Sequence, residues 1–268
     1  VATLRARGAV VLTPDSGRLT GADTGRGRLP DPEAIFESAR AVLRRGPGPA
    51  DLAGRHVLIT AGGTREALDP VRYLGNRSSG RQGYALAATA AARGARVTLV
   101  AANTDLPSPA GAEVVPVESA EQMHRAVLEA RKEADAVVMA AAVADFRPAA
   151  SAESKIKKTG AGPAPLDLAV NPDILAEISA DRAHPGQVVV GFAAETDDVL
   201  ANGRAKLTRK GCDLLVVNRV GGGRAFGTEE NQAVVLGADG GPAEVPMGPK
   251  TDLADRVWDL VAERLTET

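Results

Sequence analysis

The chain has 268 residues, 44% of them apolar and only 3% aromatic, with a net charge of −2; that holds one full α/β domain with sequence left over, and a core of Val, Leu, Ile and Ala. The charge excludes a global basic field for nucleic acid, and the single cysteine, Cys212, excludes an internal disulfide framework and a cysteine zinc cage. His56, His124 and His184 lack metal-motif spacing, and no apolar run approaches the ~18 residues of a membrane span.

Residues 1–50 differ from the rest. Ala9-Val10-Val11-Leu12 predicts one short strand, followed by a Gly/Asp/Pro-rich stretch over 14–32 and a helix over 32–45. Gly46-Pro47-Gly48-Pro49-Ala50 is linker by composition. One strand and one helix cannot bury a core, and the chain begins at Val1 rather than Met. Residues 1–50 are therefore expected to be the tail of a preceding domain plus a linker, with 51–268 as the next domain. A cytoplasmic protein is the default expectation.

From Arg55 the pattern becomes regular. Strands are predicted over 56–60, 96–101, 136–140, 187–192 and 214–217, and a final strand or hairpin begins at 233–236. Helices are predicted over 80–93 with Ser79 as N-cap, then over 119–132, 172–180, 197–210 and 252–265. In the last of these Leu253, Val257, Leu260, Val261 and Leu265 share one face. Short apolar strands alternating with helices predict an α/β fold: a Rossmann-like, doubly wound, mainly parallel sheet with helices on both faces. Ligands in such folds sit beyond the carboxyl ends of strands. The loops after residues 60 and 141 are the chemically rich ones.

The first loop carries Ala61-Gly62-Gly63-Thr64 and, after an insertion over 68–74, Gly75-Asn76-Arg77-Ser78-Ser79-Gly80. Gly62 and Gly63 let backbone N–H groups approach a ligand, and a helix starting near Gly80 offers a positive end to phosphate. Neither the dinucleotide fingerprint nor the P-loop is present, since Arg81-Gln82 replaces the P-loop Lys and Ser/Thr. The Asn76 amide could donate to an oxygen as charge develops, or serve as a turn residue beside Gly75. Arg72 could bind a phosphate or carboxylate with both arms, or make a surface ion pair.

In the second loop, the small residues Ala140, Ala141 and Ala142 allow a flat ring to pack on backbone. Asp145 could hold a metal or a ribose, or cap a turn. Lys155-Ile156-Lys157-Lys158-Thr159-Gly160 suits a flap over phosphates, or a solvated charged face. Asn171-Pro172-Asp173-Ile174 opens a helix, with Pro172 near its first position. Phe192 at a strand end could stack on a base or pack in the core. Lys206 and Lys210, four apart on one helix face, could converge on a triphosphate or be surface.

Taken together, ITAGGTRE, DPVRYLGNRSSG, AAAVADFRP, KIKK, NPDIL, GFAAET and KLTRKGCDLLVVN, in this order, resemble the phosphopantothenate–cysteine ligase family from residue 55 to about 265. In bacteria that family forms the C-terminal half of a bifunctional coenzyme A biosynthesis protein, after a flavin-dependent decarboxylase. Thr13-Pro14-Asp15-Ser16-Gly17 and Gly25-Arg26-Gly27-Arg28-Leu29 resemble the end of that decarboxylase, without its usual flap cysteine. FMN and decarboxylation are thus expected only of an upstream domain.

The resemblance implies CTP-dependent ligation of 4′-phosphopantothenate with cysteine through an acyl-cytidylate, with Mg²⁺ offsetting the triphosphate charge. It implies Asn76, Lys155 and Arg72 as catalytic, with Lys155 on a closing flap. It implies CTP contacts from Gly62, Gly63, Ser78, Ser79, Gly80, Ala141, Ala142, Asp145, Lys155, Asn171, Pro172, Asp173, Ile174, Phe192, Lys206 and Lys210, and Asp145 as the metal residue. It implies small-molecule partners, no nucleic acid or membrane, a homodimer through the ligase domain, and a larger homo-oligomer for the full protein. Two other classes stand beside it. An NAD(P) oxidoreductase lacks its GxGxxG and YxxxK here, and a non-enzymatic nucleotide-binding module would need no Asn76 or Lys155 chemistry.

Overall fold

In the computed structural model the described residues are all of 1–268 except 2, 5, 6, 8, 10, 13, 21, 22, 47–49, 158–164, 196, 197, 220–229, 239, 267 and 268. The chain forms β1 (Asp15–Arg18), β2 (Thr24–Arg28), α1 (Pro32–Arg45), β3 (His56–Gly62), β4 (Arg65–Asp69), β5 (Arg72–Gly75) and α2 (Arg81–Ala92). There follow β6 (Arg96–Ala102), β7 (Ala112–Val117), α3 (Ala120–Ala130), β8 (Ala136–Met139), β9 (Phe146–Pro148), β10 (Leu168–Val170) and α4 (Ile174–Ala180). The rest is β11 (Val188–Glu195), α5 (Val199–Lys210), β12 (Leu214–Arg219), β13 (Glu230–Gly237), β14 (Ala243–Pro249) and α6 (Lys250–Thr266).

Among the described residues the large sheet has eight strands in the order β14-β13-β12-β11-β8-β3-β6-β7. From β12 to β7 every pair is parallel, while β12-β13 and β13-β14 are antiparallel. The central strands are buried at every position of β3 and β8, as apolar strands covered on both faces must be. Alternation then divides their side chains. Val57, Ile59 and Ala61 face Leu86 and Ala90 of α2 and Val257, Trp258 and Val261 of α6. Leu58, Val137, Val189 and Leu215 face Met123 and Val127 of α3, Ile178 of α4 and Leu207 of α5. The doubly wound, mainly parallel α/β expectation is met.

Several local expectations change. The described residues of 9–12 lie outside any strand (Val10 is not described), whereas the stretch expected to be irregular holds the β1-β2 hairpin. The insertion over 68–74 takes part in a second hairpin, β4-β5. The strands β7, β9 and β10 were not anticipated. Helix α2 is capped by Gly80, at φ 74°, and not by Ser79. Helix α4 begins at Ile174 with Asp173 as its cap, so Pro172 precedes the helix instead of opening it. The α3 cap at Ser119 is a reciprocal one, with Gln122 N donating to Ser119 Oγ and Gln122 Oε1 accepting from Ser119 N. No helix among the described residues is long and apolar enough to cross a membrane.

Helix α1 lies against α2 and is tied to α6 by ion pairs. Arg40 and Arg44 each donate to Asp252, at 3.1 and 2.9 Å, and Arg44 reaches Asp255 at 2.8 Å. Nearby, the buried Arg93 after α2 donates to Asp51, to Asp259 and to the Asp255 carbonyl. These contacts join the segment before β3 to the face formed by α2 and α6.

Candidate active site

From β3 the chain moves through β6 to β7 on one side; from β8 it moves through β11 to β12 on the other. The loops leaving β3 and β8 therefore flank the switch point, where open α/β sheets bind ligands. Here they are tied together by backbone. Gly63 and Ala142 form a parallel bridge. Ala142 N donates to Gly62 O at 2.8 Å, and Thr64 N donates to Ala142 O at 3.3 Å. Thr64 Oγ1 accepts from Ala144 N at 2.9 Å, and Thr60 Oγ1 accepts from Ala141 N at 3.1 Å. Asn103 Nδ2 donates to both Gly63 O and Glu118 O, each at 2.9 Å.

The glycines are set by space. A Cβ on Gly62, at φ +85°, would lie 1.9 Å from Ala102 O. One on Gly63 would lie 2.7 Å from Asn76 O, and one on Gly80 2.5 Å from Thr104 Cγ2. Residues 62–63 and 76–80 are thus layered on one another. Helix α2 has no side-chain cap and no acidic residue in its first turn. The positive end of its dipole is therefore not offset by a carboxylate of its own first turn. Ser78 is half-buried and its Oγ accepts from Gly80 N at 3.3 Å, while Ser79 is exposed.

Asn76 is exposed, and its Nδ2 donates to Val143 O at 3.0 Å. It therefore joins the first loop to the second. Arg72 is held by Asp69, with Nε 2.9 Å from Oδ2, and also donates to Ile156 O at 2.8 Å. Asp145 is exposed, and its carbonyl accepts from Asn171 N at 2.9 Å. Asn171 is buried and donates to Ala144 O at 2.8 Å, while Arg147 donates to its Oδ1 at 3.1 Å. Lys155 and Lys157 are exposed. Lys158, Thr159 and Gly160 lie outside the described residues, as does Thr196 of the GFAAET motif.

The remaining expected residues come from α4, β11 and α5. Asp173 caps α4 by accepting from Ala176 N at 3.1 Å and pairs with Lys210. Burial pushes the Asp173 carboxyl upward, but the Lys210 ammonium and the Ala176 N–H outweigh it and hold the pKa below the usual value. Lys206 Nζ stands 3.8 Å from Glu195 Oε1. Both lysines thus face carboxylates. Phe192 is half-buried and packs on the core under α2 and α6, and Ile174 is buried in the opposite core.

Among the described residues no cluster of three or more His, Cys, Asp or Glu forms a metal cage. A lone exposed carboxylate such as Asp145 fits Mg²⁺ only in the way Mg²⁺ usually binds nucleotides, through one protein oxygen, waters and phosphates.

Sequence reasoning missed three groups. Thr64 ties the loops after β3 and β8 together, Asn103 ties the first of them to Glu118, and Asp69 organises the β4-β5 turn. The third, Asn218, ends β12 beside Ala194 of β11. Its Oδ1 is buried without a hydrogen-bond partner among the described residues. The only sequence signal was a polar residue closing the apolar run Leu214-Leu215-Val216-Val217.

The family model described as the DNA/pantothenate metabolism flavoprotein C-terminal domain matches residues 52–265. The coenzyme A biosynthesis bifunctional protein CoaBC of Mycobacterium tuberculosis is 56% identical over 272 residues, covering 97% of this chain and 65% of that protein. CoaBC of Bacillus subtilis is 39% identical over 270 residues, covering 100% of this chain and 66% of that protein. The chain thus spans just under two thirds of the length of these relatives. The crystal structure of the C-terminal domain of CoaBC matches with a TM-score of 0.70 at 33% identity, covering 82% of this chain and 100% of that one.

Proposed function

Since the chain belongs to the DNA/pantothenate metabolism flavoprotein C-terminal domain family, we propose that it is a phosphopantothenate–cysteine ligase of coenzyme A biosynthesis. The nucleotide is CTP. A carboxylate oxygen of 4′-phosphopantothenate attacks the α-phosphorus, and the bond to pyrophosphate breaks. The cysteine amine then attacks the acyl carbon of the acyl-cytidylate, loses its proton and expels CMP. A free carboxylate is a poor acyl donor, so the nucleotide supplies the leaving group. Asp145 would hold Mg²⁺, which would supply positive charge to offset the triphosphate.

The observation that carries this reading is the contact of Asn76 Nδ2 with Val143 O at 3.0 Å. It sets an amide donor where the two switch-point loops meet. A donor fixed there can stabilise charge on the reacting carboxyl without reorganisation. Gly62, Gly63, Ser78, Ser79 and Gly80 face the phosphates. Ala141, Ala142, Asp145 and the stretch 171–174 border the nucleoside, and Phe192 packs on it. Lys155 serves turnover, with Arg72 beside it. Lys206 and Lys210 meet phosphates by exchanging their carboxylate partners for phosphate oxygens.

In this reading 51–268 is the ligase domain and 1–50 the end of a preceding decarboxylase domain plus a linker, FMN belonging to that domain. The ligase acts as a homodimer, within a larger homo-oligomer of the full protein, in the cytoplasm. The test is to incubate the chain with phosphopantothenate, cysteine, Mg²⁺ and each nucleoside triphosphate, and to measure pyrophosphate. CTP-stimulated release supports the ligase, whereas release with ATP alone overturns the CTP assignment. No release with any nucleotide overturns the ligase itself. Asn76→Ala should abolish acyl-cytidylate formation or its use, and wild-type turnover would remove Asn76 from the mechanism.

A further inference from the structure

Asp69 is the most heavily engaged carboxylate of this region, although the ligation assigns it no task. Its side chain is fully shielded from solvent. Oδ1 accepts from Val71 N at 2.8 Å and Arg72 N at 2.9 Å, which closes the β4-β5 turn. Those two bonds would suffice for a turn. Oδ2 does something else. It accepts from Arg72 Nε at 2.9 Å and from Ile156 N, 87 residues on, at 3.1 Å. Arg72 in turn donates to Ile156 O at 2.8 Å. One ion pair on the hairpin therefore holds both polar groups of the residue next to Lys155. Ala152 N, donating to Leu68 O at 3.0 Å, lays the same segment along the hairpin.

We infer that Asp69 and Arg72 are positioning residues for Lys155, fixing the Ile156 backbone and thereby the root of the neighbouring ammonium. A lysine on a long, freely rotating stem loses much entropy when it engages a phosphate. An anchored backbone leaves only the stem to be ordered, which is how preorganisation raises turnover. The forked guanidinium suits this task, because it can hold a carboxylate with one arm and a carbonyl with another. The Arg72 guanidinium also holds the Asp69 carboxyl well below the usual carboxylate range, so the pair stays charged through the working pH range.

The role given to Lys155 rests on the ligase reading, whereas the anchor itself does not, and two measurements separate them. Amide exchange in Arg72→Gln and Asp69→Ala should show the Ile156 amide exchanging at least tenfold faster, with β3 amides as protected as in the wild type. Unchanged Ile156 exchange in both variants overturns the anchor. If Asp69→Ala also opens the hairpin, Arg72→Gln, which leaves the Asp69 turn bonds in place, decides.

In the pyrophosphate assay each variant should lose on the order of tenfold in kcat, the scale of one charge-assisted hydrogen bond, with a smaller change in KM for the nucleotide. In a Lys155→Gln background the same substitutions should cost less than about twofold more, because residues that act through one another are not additive. Equal losses in both backgrounds overturn the positioning role. A wild-type chain without ligation would defeat the ligase reading, while the exchange result would still test the anchor.

Discussion

Replacing Gly80 by alanine tests how tightly the first loop is built. Gly80 sits at the start of α2 with φ +74°. An alanine kept in that left-handed conformation costs roughly 1–2 kcal/mol. Its Cβ would also lie 2.5 Å from Thr104 Cγ2, well inside the roughly 3.5 Å at which carbon atoms rest. Thr104 cannot simply rotate away, because its Oγ1 shares a 2.7 Å hydrogen bond with Tyr84 Oη. Overpacking of this kind costs about 1–3 kcal/mol. The sum is about 2–5 kcal/mol, a large part of the roughly 5–15 kcal/mol that holds a domain together. Thr104→Ser removes the clashing methyl and keeps the hydroxyl. Gly80→Ala in that background should therefore cost only the backbone term of about 1–2 kcal/mol. Urea unfolding followed by circular dichroism, with slopes compared as well as midpoints, measures both numbers. The reasoning fails if Gly80→Ala lies within about 0.5 kcal/mol of the wild type, the usual range of neutral surface changes. It fails equally if Thr104→Ser recovers nothing.

Other expectations follow from buried or paired charges. Arg93→Met should cost about 2 kcal/mol in the same unfolding assay, because a guanidinium only 1% exposed loses its bonds to Asp51, Asp259 and the Asp255 carbonyl; a loss below about 0.5 kcal/mol would refute this. His56 is held neutral, its pKa lowered from 6.5 first by burial and then by the Arg96 charge. A lowered folded-state pKa gives stability that is present above pH 6.5 and is lost as pH falls below it. His56→Gln should therefore flatten the stability profile between neutral and mildly acidic pH, and parallel profiles would refute this. Asp173→Asn keeps the α4 cap but breaks the pair with Lys210, whose partner carboxylate is 51% exposed. It should cost about 0.5–1 kcal/mol at pH 7. That difference should close as pH falls through the lowered Asp173 pKa, below the ordinary 3.8; a gap persisting in acid would point to packing instead.

How much of this was legible in the sequence depended on how local each cause was. The strands β3, β8, β11 and β12 announced themselves as apolar runs because they are covered on both faces. Helix α1 was bounded by Pro32 at one end and the glycines after Arg45 at the other. The β4-β5 hairpin could not be read, since Arg65-Glu66-Ala67-Leu68-Asp69 lacks regular alternation. Its closure depends on Asp69 and on distant backbone partners, as when Arg65 N donates to Glu118 O and Glu66 Oε1 accepts from Ala120 N. Edge strand β7 contains Pro116, which masks its signal. The sequence leaves Lys210 open between surface and phosphate ligand because its partner, Asp173, lies 37 residues away. Nothing local marks Asn218 Oδ1 as lacking a partner among the described residues, since that property belongs to the packed sheet.

The same distinction separates two kinds of residue in the proposed site. Gly62, Gly63 and Gly80 are fixed by distances to backbone and to Thr104 that no larger side chain can respect. Substitutions there should lower stability as well as turnover. Asn76, Asp145 and Lys155 are exposed, and their side chains carry little of the packing. Truncating them should leave unfolding midpoints within about 0.5 kcal/mol of the wild type while turnover collapses. Asp69 is the informative intermediate, being buried like the first group and charged like the second. If it answers to Lys155, its loss in turnover should exceed what its loss in stability explains. If it is only a turn residue, the two losses should rise and fall together across Asp69→Asn, Asp69→Ala and Arg72→Gln.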